Sequence, residues 1–267
     1  MGRIRTTEVA DVPQIVELLR QGFPADLLRY MIFGSVGIGA FLEDLIRRSD
    51  VPKRGPFIVS TQGDVVEAFA EIRSTAEGLF LNQIFVRADF QKRGIGSRLL
   101  LEAVDLARRP EHAAISLDVM AENRVARQWY ESIGFQAVQE RVWLVRPISD
   151  IEAAGDCSWS ADGLPQADRN HAIFGFSEFS LKTPTETYRV GRLGNDLFRT
   201  TDAKLWLDRS AWTALRTIDP RRDLLGLLDP QPADKFDLGG SQLKARSIRM
   251  SASIDDVLGG LADSTRE

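Results

Sequence analysis

Apolar residues along this chain recur with two periods, near two in some stretches and near 3.6 in others, and the switches between them mark out its elements. RIRT, close to the start, reads as a short strand. Asp11-Val12-Pro13 then opens a helix. Asp11 is placed to cap it, Pro13 sits where a missing N–H costs nothing, and Ile15, Val16, Leu18 and Leu19 supply the apolar face. A glycine- and proline-punctuated stretch leads to AFLEDLIRR, a second helix. PFIVSTQGDVVEAFAEIRS is a hairpin that turns at Gly63-Asp64, and GLFLNQIFV is a further, strongly apolar strand. GSRLLLEAVDLARR is an amphipathic helix with basic residues at its end, where the helix dipole favours them. AAISLDVM is a strand, NRVARQWYESIGF a helix stopped at Gly134, and QAVQERVWLVRP an alternating strand ended by Pro147. The order over residues 1–147 is β-α-α-β-β-β-α-β-α-β.

The texture then changes. Residues 149–170 are small, polar and acidic and read as a linker between a first domain, 1–148, and a second, 171–267. In the second, AIFGFSEFSL reads as a strand and ETYRVGRLGNDLFRTT as a hairpin about Gly194-Asn195-Asp196. SAWTALRTI reads as a helix, and RRDLLGLL as another helix opened by Asp219-Pro220. SIRMSASI alternates Ile248, Met250, Ala252 and Ile254 as a half-buried strand, and a short helix follows. The whole is an α+β chain whose second domain is the smaller.

Composition narrows the picture only a little. The chain has 267 residues, 43% hydrophobic and 27% charged, with a formal net charge of -4. That balance argues against nucleic acid as a partner. Cys157 is the single cysteine, so no disulfide forms within the chain and a reducing, cytoplasmic setting is expected. The start has no uninterrupted apolar run of the signal-peptide kind. Gly2 and Thr6 fit a loose myristoylation pattern, which is read as chance at the start of a strand. Tyr30–Leu42 is the most apolar run but is too short and glycine-broken to span a bilayer, so no membrane partner is expected.

Candidate chemistry concentrates in VRADFQKRGIGSRLL. Gly94 and Gly96 stand where a strand gives way to a helix. A helix N-terminus leaves N–H groups unsatisfied and carries a partial positive charge, so it suits phosphate oxygens. Two glycines let a diphosphate approach the backbone, while Lys92, Arg93 and Arg98 add charge. The alternative is a tight turn with no ligand. The Walker A pattern fails because no Gly-Lys-Ser/Thr follows, and the dinucleotide pattern fails at Leu99.

IFVRADFQKRGIGSRLLLEAV resembles the acetyl-CoA-binding motif of the GCN5-related N-acetyltransferase (GNAT) superfamily: an apolar triplet, Ile84-Phe85-Val86, then Gln91-Lys92-Arg93-Gly94-Ile95-Gly96 opening a helix. LDVMAENRVARQWYESIGFQAV is similar to the family's second motif, with Asn123, Ala126, Tyr130, Gly134 and Phe135 in place. The resemblance spans about residues 3–147. It implies a GNAT fold, a mixed and mostly antiparallel sheet flanked by helices, and direct acetyl transfer from acetyl-CoA to an amine of a small molecule or peptide, with no metal. It further implies that the pyrophosphate rests on the amides of Arg93, Gly94, Ile95, Gly96 and Ser97. The pantetheine would then pair with the edge of Ile84, Phe85 and Val86, and a backbone N–H near Phe85 or Val86 would hold the thioester oxygen. Tyr130 becomes the candidate general acid for the departing thiolate. Asn123 is expected to meet the pantetheine or to cap its helix.

The general base is not legible. The glutamate many relatives carry before the triplet falls at about Phe80. Asn82, on the Ile84 face if alternation holds, is a candidate to orient a water, and Glu67, Glu71 and Asp118 are candidate carboxylates. His112 is expected at the surface, and His171 lies in the second domain. The apolar stretch Gly22–Arg48 is placed to build the acceptor pocket, or simply core. The second domain lacks the glycine turn. A dimer contact or a lid is expected of it before a degenerate copy of the first fold. A CoA-binding sensor without chemistry, or a transferase of longer acyl groups, is the competing function.

Overall fold

A computed structural model describes residues 2–48, 56–148, 158–230 and 240–264. In chain order the elements begin β1 (Arg3–Thr6), α1 (Val12–Gln21), α2 (Ala25–Leu28), α3 (Ile38–Arg47), β2 (Phe57–Gln62), β3 (Val65–Thr75) and β4 (Gly78–Val86). Then come α4 (Ile95–Ala107), β5 (Ala114–Met120), α5 (Arg124–Ser132), β6 (Gln136–Arg146), β7 (Ser160–Asp162), α6 (Leu164–Phe174) and β8 (Phe176–Lys182). The remainder is β9 (Thr187–Leu193), β10 (Leu197–Thr200), α7 (Ala203–Leu207), α8 (Arg209–Ile218), β11 (Asp223–Leu228), β12 (Gln242–Ser253) and α9 (Ile254–Ser264).

These elements form two compact units. The first takes the described residues of Met1–Pro24, Phe41–Gln139 and Ile248–Glu267; the second takes those of Ala25–Ala40 and Glu140–Ser247. The expected division at 148 and 171 is therefore not the one the contacts draw. Residues 158–170 of the expected linker form β7 and most of α6, whereas 149–157, with Cys157, lie outside the described residues.

In the first unit the strand order is β1-β2-β3-β4-β5, followed by the end of β12 and the beginning of β6. Neighbours from β1 to β4 are antiparallel, and β4 and β5 are parallel. Alternation puts Ala68, Ala70 and Ile72 of β3 on the face that receives Leu99, Leu100, Ala103 and Val104 of α4. Met250, Ile254, Val257 and Leu261 complete this core from β12 and α9. Each such buried aliphatic side chain contributes about 1.5–3 kcal/mol. On the opposite face Phe57 stacks on Phe69 at 6.3 Å, and α1 packs against β3. Asp11 does not cap α1 with its side chain. Its carboxylate instead receives two hydrogen bonds from Arg5, at 2.7 and 2.8 Å, and one from the Glu8 N–H. Helix α4 stops at Ala107, so the basic pair Arg108-Arg109 follows the helix rather than forming its last turn.

The second unit repeats this plan. Its order is β7-β8-β9-β10-β11, then the end of β6 and the beginning of β12. Again the first four strands are mutually antiparallel and the next pair is parallel. A copy of the first fold, ranked last from the sequence, is thus what the strands build. The sixth and seventh places are filled in opposite order in the two units. RRDLLGLL is not helical: Leu224–Leu228 form the buried strand β11 between β10 and β6. Ala172–Phe174 end α6 instead of opening a strand, and Gly175, at φ +76°, makes the break. Among the described residues no helix is long and apolar enough to cross a membrane.

Candidate active site

The site is built where β4 leaves β5. Parallel pairing covers only Leu79↔Ile115, Phe80↔Ser116 and Leu81↔Leu117. From Asn82 to Val86 the β4 backbone has no strand partner on that side among the described residues, although β3 still pairs with it on the other. A bulge lies at this point: Glu71 opposes Gln83 and Ile72 opposes Leu81, which leaves Asn82 as the extra residue. Beyond the bulge Ile84 and Val86 pack toward the α4 core. Phe85 points the other way and meets Phe23 edge-on at 5.6 Å. Gly22 is required beneath it, since a Cβ there would come within 2.1 Å of the Phe85 ring.

The turn from β4 into α4 follows at once. Gln91 donates from Nε2 to the Val86 carbonyl at 3.0 Å and ties the turn to the strand end. Lys92 has φ +59° and Gly94 φ +71°, so two residues of this short turn are left-handed. Gly94 is the N-cap of α4 and supplies no side-chain cap, so the first N–H groups of the helix, from Ile95, Gly96 and Ser97, are left without one. A Cβ on Gly94 would have nothing within 4 Å, so the turn is open on that glycine's side. Arg93 lies over the Phe90 ring at 5.2 Å, while Arg98 has its Nε buried without a partner. This concave, donor-rich turn fits a diphosphate, and the unpaired strand beside it fits an extended chain carrying amide groups.

Helix α5 brings the second motif to the same place. Trp129 would lie 3.8 Å from a Cβ on Gly96. Its neighbour Tyr130 is buried in the first unit's core, 4.9 Å from the Trp129 ring and 5.6 Å from Phe135. The Tyr130 hydroxyl makes no hydrogen bond among the described residues, and burial pushes its pKa well above the ordinary phenol range. Asn123 is the N-cap of α5: its side chain accepts from the Ala126 N–H at 3.1 Å.

The candidate carboxylates separate clearly. Asp118 is bound by both oxygens to Arg249, at 2.5 and 2.8 Å. Glu67 is buried and accepts from Ser60 Oγ at 2.8 Å. Glu71, 2% exposed, accepts from Asn82 Nδ2 at 2.7 Å and from Arg73 Nε at 2.5 Å. Asn82 therefore does not share the Ile84 face, because the bulge interrupts the alternation on which that expectation rested. Gln83, opposite Glu71, keeps its Oε1 buried without a partner. Phe23 falls in the Gly22–Arg48 stretch expected to build the acceptor pocket or core, whereas neither Arg73 nor Trp129 was singled out from the sequence, though both lie at the site. Of these, Arg73 was within reach, because in an unbroken strand it shares a face with Glu71 two residues before it. His112 lies in a loop and accepts from the Arg109 N–H at 3.2 Å through Nδ1.

Residues 14–135 match the acetyltransferase (GNAT) family. That part of the chain belongs to the GNAT family. An uncharacterised N-acetyltransferase of Methanocaldococcus jannaschii is 36% identical over 66 residues, which is 25% of this chain and 28% of that protein. The match thus spans under a third of that relative's length. A tandem GNAT protein from the clavulanic acid biosynthesis pathway is similar over 95% of this chain and 98% of its own, with a TM-score of 0.66 at 12% identity. A GNAT protein of Sphaerobacter thermophilus is similar over 94% of this chain and 95% of its own, with a TM-score of 0.60 at 13% identity. At these identities the likeness is one of fold, and it extends through both units.

The second unit has neither feature of the first unit's site. Every residue of β10 from Leu197 to Thr200 pairs with β11, so no unpaired run opens between the parallel strands. Asp202 caps α7 by accepting from the Lys204 N–H at 2.8 Å, so a carboxylate occupies a place corresponding to that of Gly94. Among the described residues no group of three or more His, Cys, Asp or Glu is arranged to hold a metal ion.

Proposed function

We propose that the protein is an acetyl-CoA-dependent N-acetyltransferase that moves an acetyl group directly to an amine of a small molecule or peptide. The observation that carries this reading is the continuity of the unpaired Asn82–Val86 backbone with the open, glycine-capped start of α4. The first offers a strand edge to an amide-bearing arm and the second offers amides to a diphosphate. Acetyl-CoA would supply the thioester that is attacked: a C–N bond forms, the C–S bond breaks, the amine loses a proton and the thiolate gains one.

In this reading the N–H groups of Ile95, Gly96 and Ser97 bind the diphosphate, and Lys92 and Arg93 add charge at the rim. The N–H of Phe85 or Val86 holds the developing oxyanion. Tyr130 gives its proton to the thiolate, a role consistent with a buried phenol that stays protonated. Asn82, fixed by Glu71, presents Oδ1 to the incoming amine or to the water that takes its proton. Asp118 is a poor candidate for the base because Arg249 holds both of its oxygens. Most of the acceleration comes from holding the two substrates together.

The test is a titration with acetyl-CoA by calorimetry, together with thiol release across a panel of amines. Saturable binding with amine-dependent thiol release supports the reading. Binding without release from any amine supports a CoA-binding sensor instead, and absence of binding removes both.

A further inference from the structure

A cleft of about 210 Å³ lies in the first unit, where β4 and β5 begin. Its volume is below the range of about 300–1,000 Å³ typical of drug-sized ligands, so it suits a smaller molecule. Alternation along two strands shapes it. Ser116 stands two residues before Asp118 on β5, and Ser251 two residues after Arg249 on β12. Two short side chains therefore line the hollow beside the long side chain of Arg249. Glu77, in the turn between β3 and β4, and Val138 and Gln139 of β6 also line it.

The fold does not use up the polar groups of this cleft. Asp118 accepts from Nε and Nη2 of Arg249, and Nη1 makes no hydrogen bond among the described residues. The side chains of Ser116 and Gln139 make none either. Ser251 Oγ donates to the Ile115 carbonyl at 3.4 Å and keeps its lone pairs for an incoming donor. Glu77 is exposed and forms no ion pair among the described residues. The Arg249 pKa is raised chiefly by the Asp118 hydrogen bonds, with a smaller contribution from the charge of Glu77, which is therefore close by. A carboxylate and a guanidinium thus line one small cleft without meeting.

We propose that this cleft binds a small aliphatic α-amino acid as its zwitterion, with the ammonium at Glu77 and the carboxylate at Arg249. The charges of Glu77 and Arg249 sum to zero, as do those of the ligand. A lone anion would meet the Glu77 carboxylate and a lone cation the Arg249 guanidinium, so neither is matched at both ends. The serine hydroxyls and the Gln139 amide add hydrogen bonds, and Val138, 61% exposed, offers apolar surface to a short side chain. Each ion pair alone is weak because its charges are partly exposed, and selectivity comes from engaging both ends at once. The site is separate from the glycine turn and does not depend on the reaction proposed for it.

The experiment is NMR on the full chain without acetyl-CoA, following the backbone amides of Ser116 and Ser251. L-Alanine is the probe. Propionate and ethylamine, which each carry one of its charged ends, are the comparisons at matched ionic strength. The expected result is a saturable shift of both amides with L-alanine, which binds about ten-fold or more tightly than either comparison and weakens by about ten-fold or more in Glu77→Gln. The absence of a saturable shift at these amides overturns the proposal. So does propionate or ethylamine binding as tightly as L-alanine, or L-alanine binding that is unchanged in Glu77→Gln. Shifts centred on Asn82 and Phe85 instead would put the amino acid in the acceptor site and overturn it as well. If Glu77→Gln does not fold, the three titrations of the wild type decide the matter.

Discussion

Asn82 donates its side-chain N–H to the buried carboxylate of Glu71 at 2.7 Å, across the bulge where β4 parts from β5. A carboxylate only accepts, so this bond fixes which end of the Asn82 amide is which and leaves Oδ1 as its outward acceptor. Arg73 occupies the other Glu71 oxygen and holds the carboxylate still. Glu71→Gln should disturb this order, since the new amide can turn an N–H toward Asn82 and force it to flip. The expected effect is a fall in kcat/KM for the amine on the order of 10²-fold, with the acetyl-CoA dissociation constant unchanged. Amine kinetics beside a CoA titration would check it, and wild-type kinetics in the variant would remove Glu71 from the site.

Gly94 is open on its Cβ side and left-handed at φ +71°. Gly94→Ala should therefore cost about 1–2 kcal/mol of stability through strain alone. Gly94→Glu should add a charge and a side chain in front of the helix amides and abolish CoA binding. Because the second unit has no comparable turn, calorimetry should find one CoA per chain in the wild type and none in a folded Gly94→Glu protein. Residual binding at half stoichiometry or more would place a site elsewhere.

Tyr130 should behave as a group whose removal changes chemistry rather than folding. Its hydroxyl bonds to nothing among the described residues, so Tyr130→Phe is expected to melt close to wild type while kcat falls on the order of 10²-fold. Burial raises the phenol pKa, so the proton is retained at neutral pH and lost only above the ordinary value of about 10. Any alkaline decline in kcat due to this group must begin above that pH and vanish in Tyr130→Phe. A decline at lower pH that the variant leaves intact belongs to another residue.

The pair Arg5–Asp11 sets an acid-stability limit. Burial alone would raise the Asp11 carboxyl, but the Arg5 bonds and the Glu8 N–H outweigh it and the pKa is lowered. A depressed carboxyl stabilises the fold above its unfolded pKa of about 3.9, and the contribution is lost as pH falls through the lower, folded value. Asp11→Asn should thus lower Tm at neutral pH, by an amount corresponding to about 1–3 kcal/mol, and the gap should narrow as pH falls below the unfolded value of about 3.9 and close once pH is below the depressed folded value. Melting curves of both proteins across acid pH measure this directly.

What the sequence reveals of this protein is what short-range chemistry determines. The glycine turn, the Gln91 tether and the Asn123 cap are local, and their residues show in a few consecutive letters. The same holds for the Gly63 and Gly194 turns, whose φ values are +58° and +53°. RRDLLGLL misled because an unbroken apolar run has no period, and only the flanking strands reveal that it is a central strand. The contact between Asn82 and Glu71 hid behind a single extra residue, since one bulge reverses the faces on either side of it. The boundaries of the units were hidden for a larger reason. Each unit draws its sixth and seventh strands from β6 and β12, which are about a hundred residues apart in the chain, and no local pattern encodes that exchange.

That exchange governs the order of events at the ribosome. Met250, Ile254, Val257 and Leu261 belong to the core around α4, so the nascent first unit has a bare flank until they emerge. Elongation from the β6 region to those residues takes roughly ten seconds at usual speeds, and the exposed apolar surface needs shelter throughout that interval. A stall or premature stop in the second half would therefore condemn the first half as well.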